Sequence, residues 1–198
     1  MPHVADKSQD IDQKLSCPIC KCSYFSKSQA LLSTSWATLS GWDWANPNAD
    51  IYQCSQCSFL LWFCPVTEEE AEEEVDLGGP KLTCTLCGET RFWTRQTLLS
   101  TRSATFLHID WLNPGADNYI CTNCAQLLWF AQTENGEEGE TFECAGHLLA
   151  CPICQHKNFW TRKVLLSDKT GTFFGVDWAS PTADIFVCTN CTHILWFA

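Results

Sequence analysis

The chain has 198 residues and a formal net charge of -11, with 12 basic against 23 acidic residues. No apolar run approaches the roughly 20 residues that a membrane helix needs, and residues 1–14 contain no apolar core of a secretory signal. We therefore expect a cytoplasmic protein without a membrane partner. General affinity for a phosphate backbone requires a basic surface, and this composition argues against one.

Cysteine spacing is the most regular feature of the sequence. Cys-x2-Cys is followed at a fixed interval by a second Cys-x2-Cys, and this pattern occurs three times with a constant offset between sets. The chain therefore contains three copies of one unit. The pattern places twelve of the fifteen cysteines: Cys17, Cys20, Cys54, Cys57; Cys84, Cys87, Cys121, Cys124; and Cys151, Cys154, Cys188, Cys191.

The copies divide the chain into six segments. In order, we predict a disordered tail, repeat one, an acidic linker, repeat two, a second acidic linker and repeat three: 1–14, 15–63, 64–81, 82–130, 131–148 and 149–198. The tail and linkers hold 15 of the 23 acidic residues, so the repeats themselves are nearly neutral. Segments rich in Glu and Gly bury little apolar surface, and we expect flexible tethers that leave the repeats independent.

Each repeat predicts a small antiparallel sheet. An aromatic and Thr-rich stretch follows the first CxxC, a second extended stretch enters the second CxxC, and Leu-Trp-Phe leaves it. The dipeptides Asn46-Pro47, Asn113-Pro114 and Ser180-Pro181 favour one short helical turn before the second stretch. Recurring tryptophans predict a small core in each repeat: Trp44, Trp111 and Trp178, and Trp62, Trp129 and Trp196.

Two CxxC pairs brought together by folding form a four-sulfur site, which structural zinc prefers. In a reducing compartment such pairs are more often metal sites than disulfides. Cores of this size rarely hold a fold without metal or disulfides. We therefore predict three zinc ions per chain in three tandem metal-stabilised β domains, the arrangement of a zinc ribbon. Because a four-thiolate site is closed and no catalytic motif is present, no enzyme activity is expected.

The third repeat resembles small bacterial zinc-ribbon proteins, described as predicted nucleic-acid-binding zinc ribbons. The resemblance lies in Phe159-Trp160-Thr161-Arg162, Asp177-Trp178, Cys188-Thr189-Asn190-Cys191 and Ile194-Leu195-Trp196-Phe197. It implies a zinc-ribbon fold with metal ligands at the CxxC cysteines. The chain departs from the usual pattern in two ways. Only Gly88 provides a glycine directly after a CxxC, and three copies lie in one chain.

Two Trp-x-Arg pairs suggest a binding face. Trp93 with Arg95, and Trp160 with Arg162, stand two apart on a predicted strand and so share one side of it. Facing solvent, such a pair would suit unpaired bases or an aromatic or acidic protein surface. An arginine packed over a surface tryptophan is the alternative. Repeat one has serines at the equivalent positions.

Neutral repeats and tandem copies favour a multivalent interaction module for a protein partner or assembly, with no small-molecule substrate. Single-stranded nucleic acid bound through the Trp-x-Arg faces is the first alternative. A rubredoxin-like iron electron carrier is the second. Three cysteines outside the pattern are most simply free thiols, and two histidines beside CxxC motifs are not expected to bind metal: Cys22, Cys64 and Cys144, and His156 and His193.

Overall fold

A computed structural model describes residues 15–33, 48–64, 72–74, 82–101, 104–105, 113–132, 138–167 and 180–198. Within these ranges each repeat forms a three-stranded antiparallel sheet in chain order, which confirms the predicted class of small metal-stabilised β domains. The strands are β1 (Phe25–Leu31), β2 (Asn48–Cys54) and β3 (Leu60–Phe63); β5 (Arg91–Leu98), β6 (Gly115–Cys121) and β7 (Leu127–Ala131); and β11 (Asn158–Leu165), β12 (Thr182–Cys188) and β13 (Ile194–Phe197).

The three sheets share one register. A phenylalanine near the start of the first strand pairs with the cysteine that ends the second: Phe25 with Cys54, Phe92 with Cys121 and Phe159 with Cys188. Side chains alternate between the two faces, as strand geometry requires. In β12, Ile185 and Val187 are fully buried on one face, while Phe186 points to the other and contacts Phe197. The second CxxC forms the turn between the last two strands of each sheet.

Parts of both predicted linkers are strands. Glu72–Glu74 forms β4 along the outer edge of β5, and Glu140–Thr141 forms β8 along the outer edge of β11. A short hairpin of β9 (Glu143–Cys144) and β10 (His147–Leu148) follows. The expectation of unstructured tethers is therefore wrong for 72–74 and 138–148. An edge strand offers unpaired backbone N–H and C=O groups, and pairing with them needs no apolar side chain.

The predicted helical turn is also wrong where the structure describes it. Asn113-Pro114 leads directly into β6, and Ser180-Pro181 leads directly into β12. The proline carbonyls accept cross-strand hydrogen bonds, from Leu99 N–H at 3.0 Å and Leu166 N–H at 2.8 Å. Sheet pairing thus overrides the local capping preference. Asn46-Pro47 lies outside the described residues.

The three repeats close into a ring. At one end, the backbone of each repeat bonds to the repeat before it, and repeat one closes on repeat three. These N–H to C=O bonds are Leu31 to Ser167 at 2.8 Å, Leu98 to Ser33 at 2.9 Å and Leu165 to Ser100 at 2.8 Å. At the other end each repeat bonds to the next: Cys64 to Ala125 at 3.0 Å, Ala131 to Thr192 at 2.9 Å and Ala198 to Ser58 at 3.2 Å. The molecule is a pseudo-threefold unit within one chain.

A central tryptophan cluster lies where the three sheets meet. Trp62, Trp129 and Trp196 contact one another, with ring centroids 5.1, 4.9 and 4.9 Å apart. The inner faces of all three sheets join them in one continuous apolar core. The recurrence of these tryptophans marked core positions, but the core is common to the repeats rather than separate in each. The prediction of independent repeats is therefore wrong. Trp44, Trp111 and Trp178 lie outside the described residues.

In the part of the chain that the structure describes, no helix has the length and apolar character for crossing a membrane.

Candidate metal centres

Folding brings the twelve predicted cysteines together as three tetrads. The four sulfur atoms of each tetrad lie within 4.8 Å of one another. We call them centre one (Cys17, Cys20, Cys54, Cys57), centre two (Cys84, Cys87, Cys121, Cys124) and centre three (Cys151, Cys154, Cys188, Cys191). Six sulfur pairs, two in each tetrad, lie 3.5–3.6 Å apart: Cys17–Cys57, Cys20–Cys54, Cys84–Cys124, Cys87–Cys121, Cys151–Cys191 and Cys154–Cys188.

These separations fit a metal ion and not a disulfide. Zn–S bonds of about 2.3 Å in a tetrahedron place sulfur atoms about 3.8 Å apart, whereas a disulfide places them about 2.0 Å apart. All fifteen cysteines are free thiols. The donor set, four sulfurs converging from two turns, is the one expected for a structural zinc site. The identity of the metal is a separate question.

All six CxxC turns have the same backbone geometry. The residue after the second cysteine takes a positive φ, and its N–H donates to the carbonyl of the first cysteine. Gly88 does so at φ 75°, but non-glycine residues occupy the other five turns at 59–62°: Lys21, Ser58, Ala125, Gln155 and Thr192. The left-handed conformation is costly for residues with a Cβ. The departure from the usual glycine therefore leaves the turn intact, at some cost in strain.

Thiols of one centre shift one another's pKa values through hydrogen bonds and burial. In centre two, hydrogen bonds from the thiols of Cys124 and Cys84 lower the pKa of Cys121 to about 2, while donation to Cys121 raises the pKa of Cys84 to about 12. In centre one, burial raises the pKa of Cys17 to about 11. The raised pKa values favour the protonated thiols of Cys84 and Cys17, and a metal ion bound there would displace those protons.

The structure places the tryptophans of the two predicted Trp-x-Arg faces in different environments. Trp93 is only 9% exposed and belongs to the shared core, and Trp160 is half-buried against that core. Arg95 and Arg162 are half-buried beside them. The inner faces of β5 and β11 point towards the ring axis, a direction that only ring closure defines. The premise that the tryptophan faces solvent is therefore wrong for Trp93, while ligand binding at these faces stays a prediction.

The cysteines outside the pattern occupy three different environments. Cys64 is 1% exposed within the shared core, although its position predicted a linker thiol. The sulfur of Cys22 lies 3.7 Å from the hydroxyl of Ser55. Cys144 comes from the segment before repeat three but reaches centre one, where its thiol donates to the Cys57 carbonyl at 3.5 Å. Burial raises the pKa of Cys144.

One position beside the centres differs in every repeat. It lies two residues after the second CxxC and is occupied by Phe59, Gln126 and His193, all buried. Gln126 Oε1 lies 3.0 Å from the sulfur of Cys84, and His193 Nδ1 lies 3.8 Å from that of Cys151. Burial lowers the pKa of His193 to about 4, so the imidazole is neutral.

Sequence reasoning found little to indicate this position. His193 was noticed only as a neighbour of a CxxC, and Gln126 carried no motif. Aligning the three repeats on their cysteines would have shown three chemically different residues at one position. The contact with the sulfur, however, depends on how the first CxxC turn folds over the second.

Comparison with protein-family models, with curated proteins and with solved structures gives no match to this chain.

Proposed function

We propose that the chain is a non-enzymatic zinc protein, in which three structural zinc ions fasten a threefold scaffold that binds a protein partner or assembly. The observation that carries this proposal is the set of three closed four-sulfur centres around one shared core. Zinc would be held by the four cysteines of each centre. When bound, it neutralises thiolate charge and crosslinks the two CxxC turns.

A closed centre supports a structural rather than a catalytic role. A catalytic zinc keeps one coordination position for water or substrate, and such sites have three protein ligands. Each centre here offers four sulfurs at tetrahedral spacing. Iron can also occupy four thiolates, so a rubredoxin-like carrier remains the rival among metal proteins. Colour distinguishes the two, because ferric tetrathiolate absorbs visible light and zinc does not.

Ring closure supports a role in multivalent binding. Three related sheets are fixed around one axis, which holds the three repeats at set distances from one another. A partner or assembly with repeated sites gains effective concentration from such a display, without new kinds of contact. Nearly neutral repeats and acidic linkers favour a protein over a nucleic acid. Burial of Trp93 removes one of the stacking planes on which the nucleic-acid hypothesis depended.

Native mass spectrometry of the full chain tests the metal content. We expect three zinc ions per chain and a colourless protein. Fewer than three ions in fully folded protein, or a stoichiometric amount of iron, would contradict the proposal.

Fluorescence anisotropy with single-stranded DNA and RNA oligonucleotides tests the rival ligand. At about 150 mM salt we expect no binding tighter than the roughly 10⁻⁴–10⁻⁶ M typical of non-specific contacts. Tight binding that weakens in the Arg95→Ala and Arg162→Ala variants would favour nucleic acid instead.

A further inference from the structure

The buried amide of Gln126 is held in place by a second side chain. Its Nε2 lies 2.8 Å and its Oε1 3.1 Å from the hydroxyl of Thr85, the residue next to Cys84. Repeats one and three have Pro18 and Pro152 at that position, so neither can orient an amide in this way. The Gln126–Thr85 pair is specific to centre two.

The direction of the hydrogen bond between Gln126 and Cys84 depends on whether Cys84 is a thiol or a thiolate. A Cys84 thiol donates its proton to Oε1. A metal-bound thiolate has no proton and accepts only, so the amide turns over and presents Nε2–H. Oε1 then accepts from the Thr85 hydroxyl. Both orientations satisfy the same three groups, because the two ends of an amide are nearly equal in shape.

In centre three, the imidazole of His193 can direct an N–H donor at a cysteine sulfur, as the amide of Gln126 can in centre two. A neutral imidazole carries one N–H, and the tautomer protonated at Nδ1 directs it at the sulfur of Cys151, 3.8 Å away. The ring is fixed by an edge contact with Phe130, their centroids 5.3 Å apart. The imidazole of His193 therefore packs between the Phe130 ring and the Cys151 sulfur.

Centre one has an apolar group at this position. Phe59 packs edge-on against Phe197, with centroids 5.4 Å apart. Among the described residues, the side-chain hydrogen bonds of the Cys17 sulfur go to other ligands of the same centre, such as Cys57. Among the described residues, no side chain at this position donates to the Cys17 sulfur, and the Cys144 thiol beside Cys57 donates to the Cys57 carbonyl oxygen.

We propose that Gln126 and His193 are outer-sphere donors to the metal-bound thiolates of Cys84 and Cys151, and that centre one, which has Phe59 instead, is the exchangeable metal site of the three. The inference rests on the proposed zinc binding. Four thiolates around a dication leave a net charge of about -2, and an N–H donor stabilises that charge. Loss of an outer-sphere partner typically costs about 10–100-fold in metal affinity. Centres two and three then retain their metal ions, and centre one can lose or exchange its metal ion.

Zinc transfer from the full chain to a coloured chelator tests the proposal, because the amplitudes of the phases count the centres. We expect one zinc to leave at least about tenfold faster than the other two. His193→Phe introduces the residue of repeat one, and a Phe there can pack on Phe130 as Phe59 packs on Phe197. Two fast zinc ions are then expected, and three in the His193→Phe/Gln126→Met double variant.

Two further measurements show which centre releases zinc fastest and whether Gln126 and His193 act as hydrogen-bond donors. Differential iodoacetamide labelling after the fast phase should mark the centre one cysteines and leave centres two and three protected. In cobalt-substituted protein, the thiolate-to-cobalt charge-transfer band should move to longer wavelength in His193→Phe and in Gln126→Met, since a sulfur that loses a donor becomes richer in electrons. A purely packing role would leave that band in place.

Tyr24→Ala is the control, since this side chain is 76% exposed and belongs to no tetrad; it should leave one fast and two slow zinc ions. Three equal release rates in wild type, or a fast phase that labels centre two or three, would overturn the inference. Either result would leave the proposed zinc function standing. A chain without three bound metal ions would instead contradict the function itself. Gln126→Met tests centre two alone if His193→Phe does not fold.

Discussion

Equivalent positions of the three repeats have the same residue at the axis of the ring and different residues beside the candidate metal centres. At the axis, the three copies retain the same residue, and Trp62, Trp129 and Trp196 contact one another almost symmetrically. Beside the centres, the copies have Phe59, Gln126 and His193. The tryptophan position at which the three repeats meet is therefore uniform. The position beside each candidate centre differs although it too contacts a neighbouring repeat, as Phe59 contacts Phe197 and His193 contacts Phe130.

The largest expected effect tests whether the metal ends and the axis are coupled. Cys188→Ser removes one ligand of centre three. Structural zinc contributes on the order of 10–16 kcal/mol in isolated fingers, which is as large as the roughly 5–15 kcal/mol net stability of a domain. Since the repeats share a core, we expect all three to lose stability together. Thermal unfolding followed by far-UV circular dichroism and tryptophan fluorescence checks this.

Cys22→Ser, outside the tetrads, serves as the control for Cys188→Ser and should unfold like wild type. Two repeats that kept their zinc and melted at the wild-type temperature would show that the repeats are independent after all.

A smaller effect is expected at the axis. Trp129→Ala opens a cavity between three sheets and should cost about 3–5 kcal/mol. The same change at Trp62 or Trp196 should cost a similar amount, because the cluster is nearly symmetric. Guanidinium unfolding of zinc-loaded protein measures the change. Tyr24→Ala, at a side chain 76% exposed, should stay within about 0.5 kcal/mol. Clearly unequal losses of unfolding free energy at the three tryptophans would contradict the near-symmetry of the cluster.

The smallest effect concerns a polar exception inside the shared core. Asn118 is fully buried, and its amide donates to the Thr97 hydroxyl at 2.7 Å. Thr97→Val should cost about 1–3 kcal/mol, because the amide loses its acceptor. Adding Asn118→Ile reproduces the apolar pair of repeat three, Val164 and Ile185, and should recover most of that loss. A double-mutant cycle by denaturant unfolding measures the coupling; additive effects would contradict this interpretation.

Sequence spacing was sufficient for the local parts of this protein. Two CxxC pairs at one fixed interval specify which cysteines meet, because a short antiparallel sheet has few ways to bring two turns together. Strand composition and the regular period of the cysteine sets then predict three equal sheets. The prediction of linkers is wrong for Glu72–Glu74 and Glu140–Thr141. Their glutamates are typical of solvent-exposed segments, but their backbones pair with the edge of a sheet.

By itself, the sequence determined the three tetrads and the β fold of each repeat, because both depend on contacts within a single repeat. Only the tertiary structure decided that the repeats form one ring, that Trp93 faces the core, and that Gln126 and His193 reach ligand sulfurs. The physical reason is that each of these depends on contacts across the fold. Backbone hydrogen bonds such as Leu31 to Ser167 join repeat one to repeat three, and a repeat sequence carries no local signal for the surface that its copies will share.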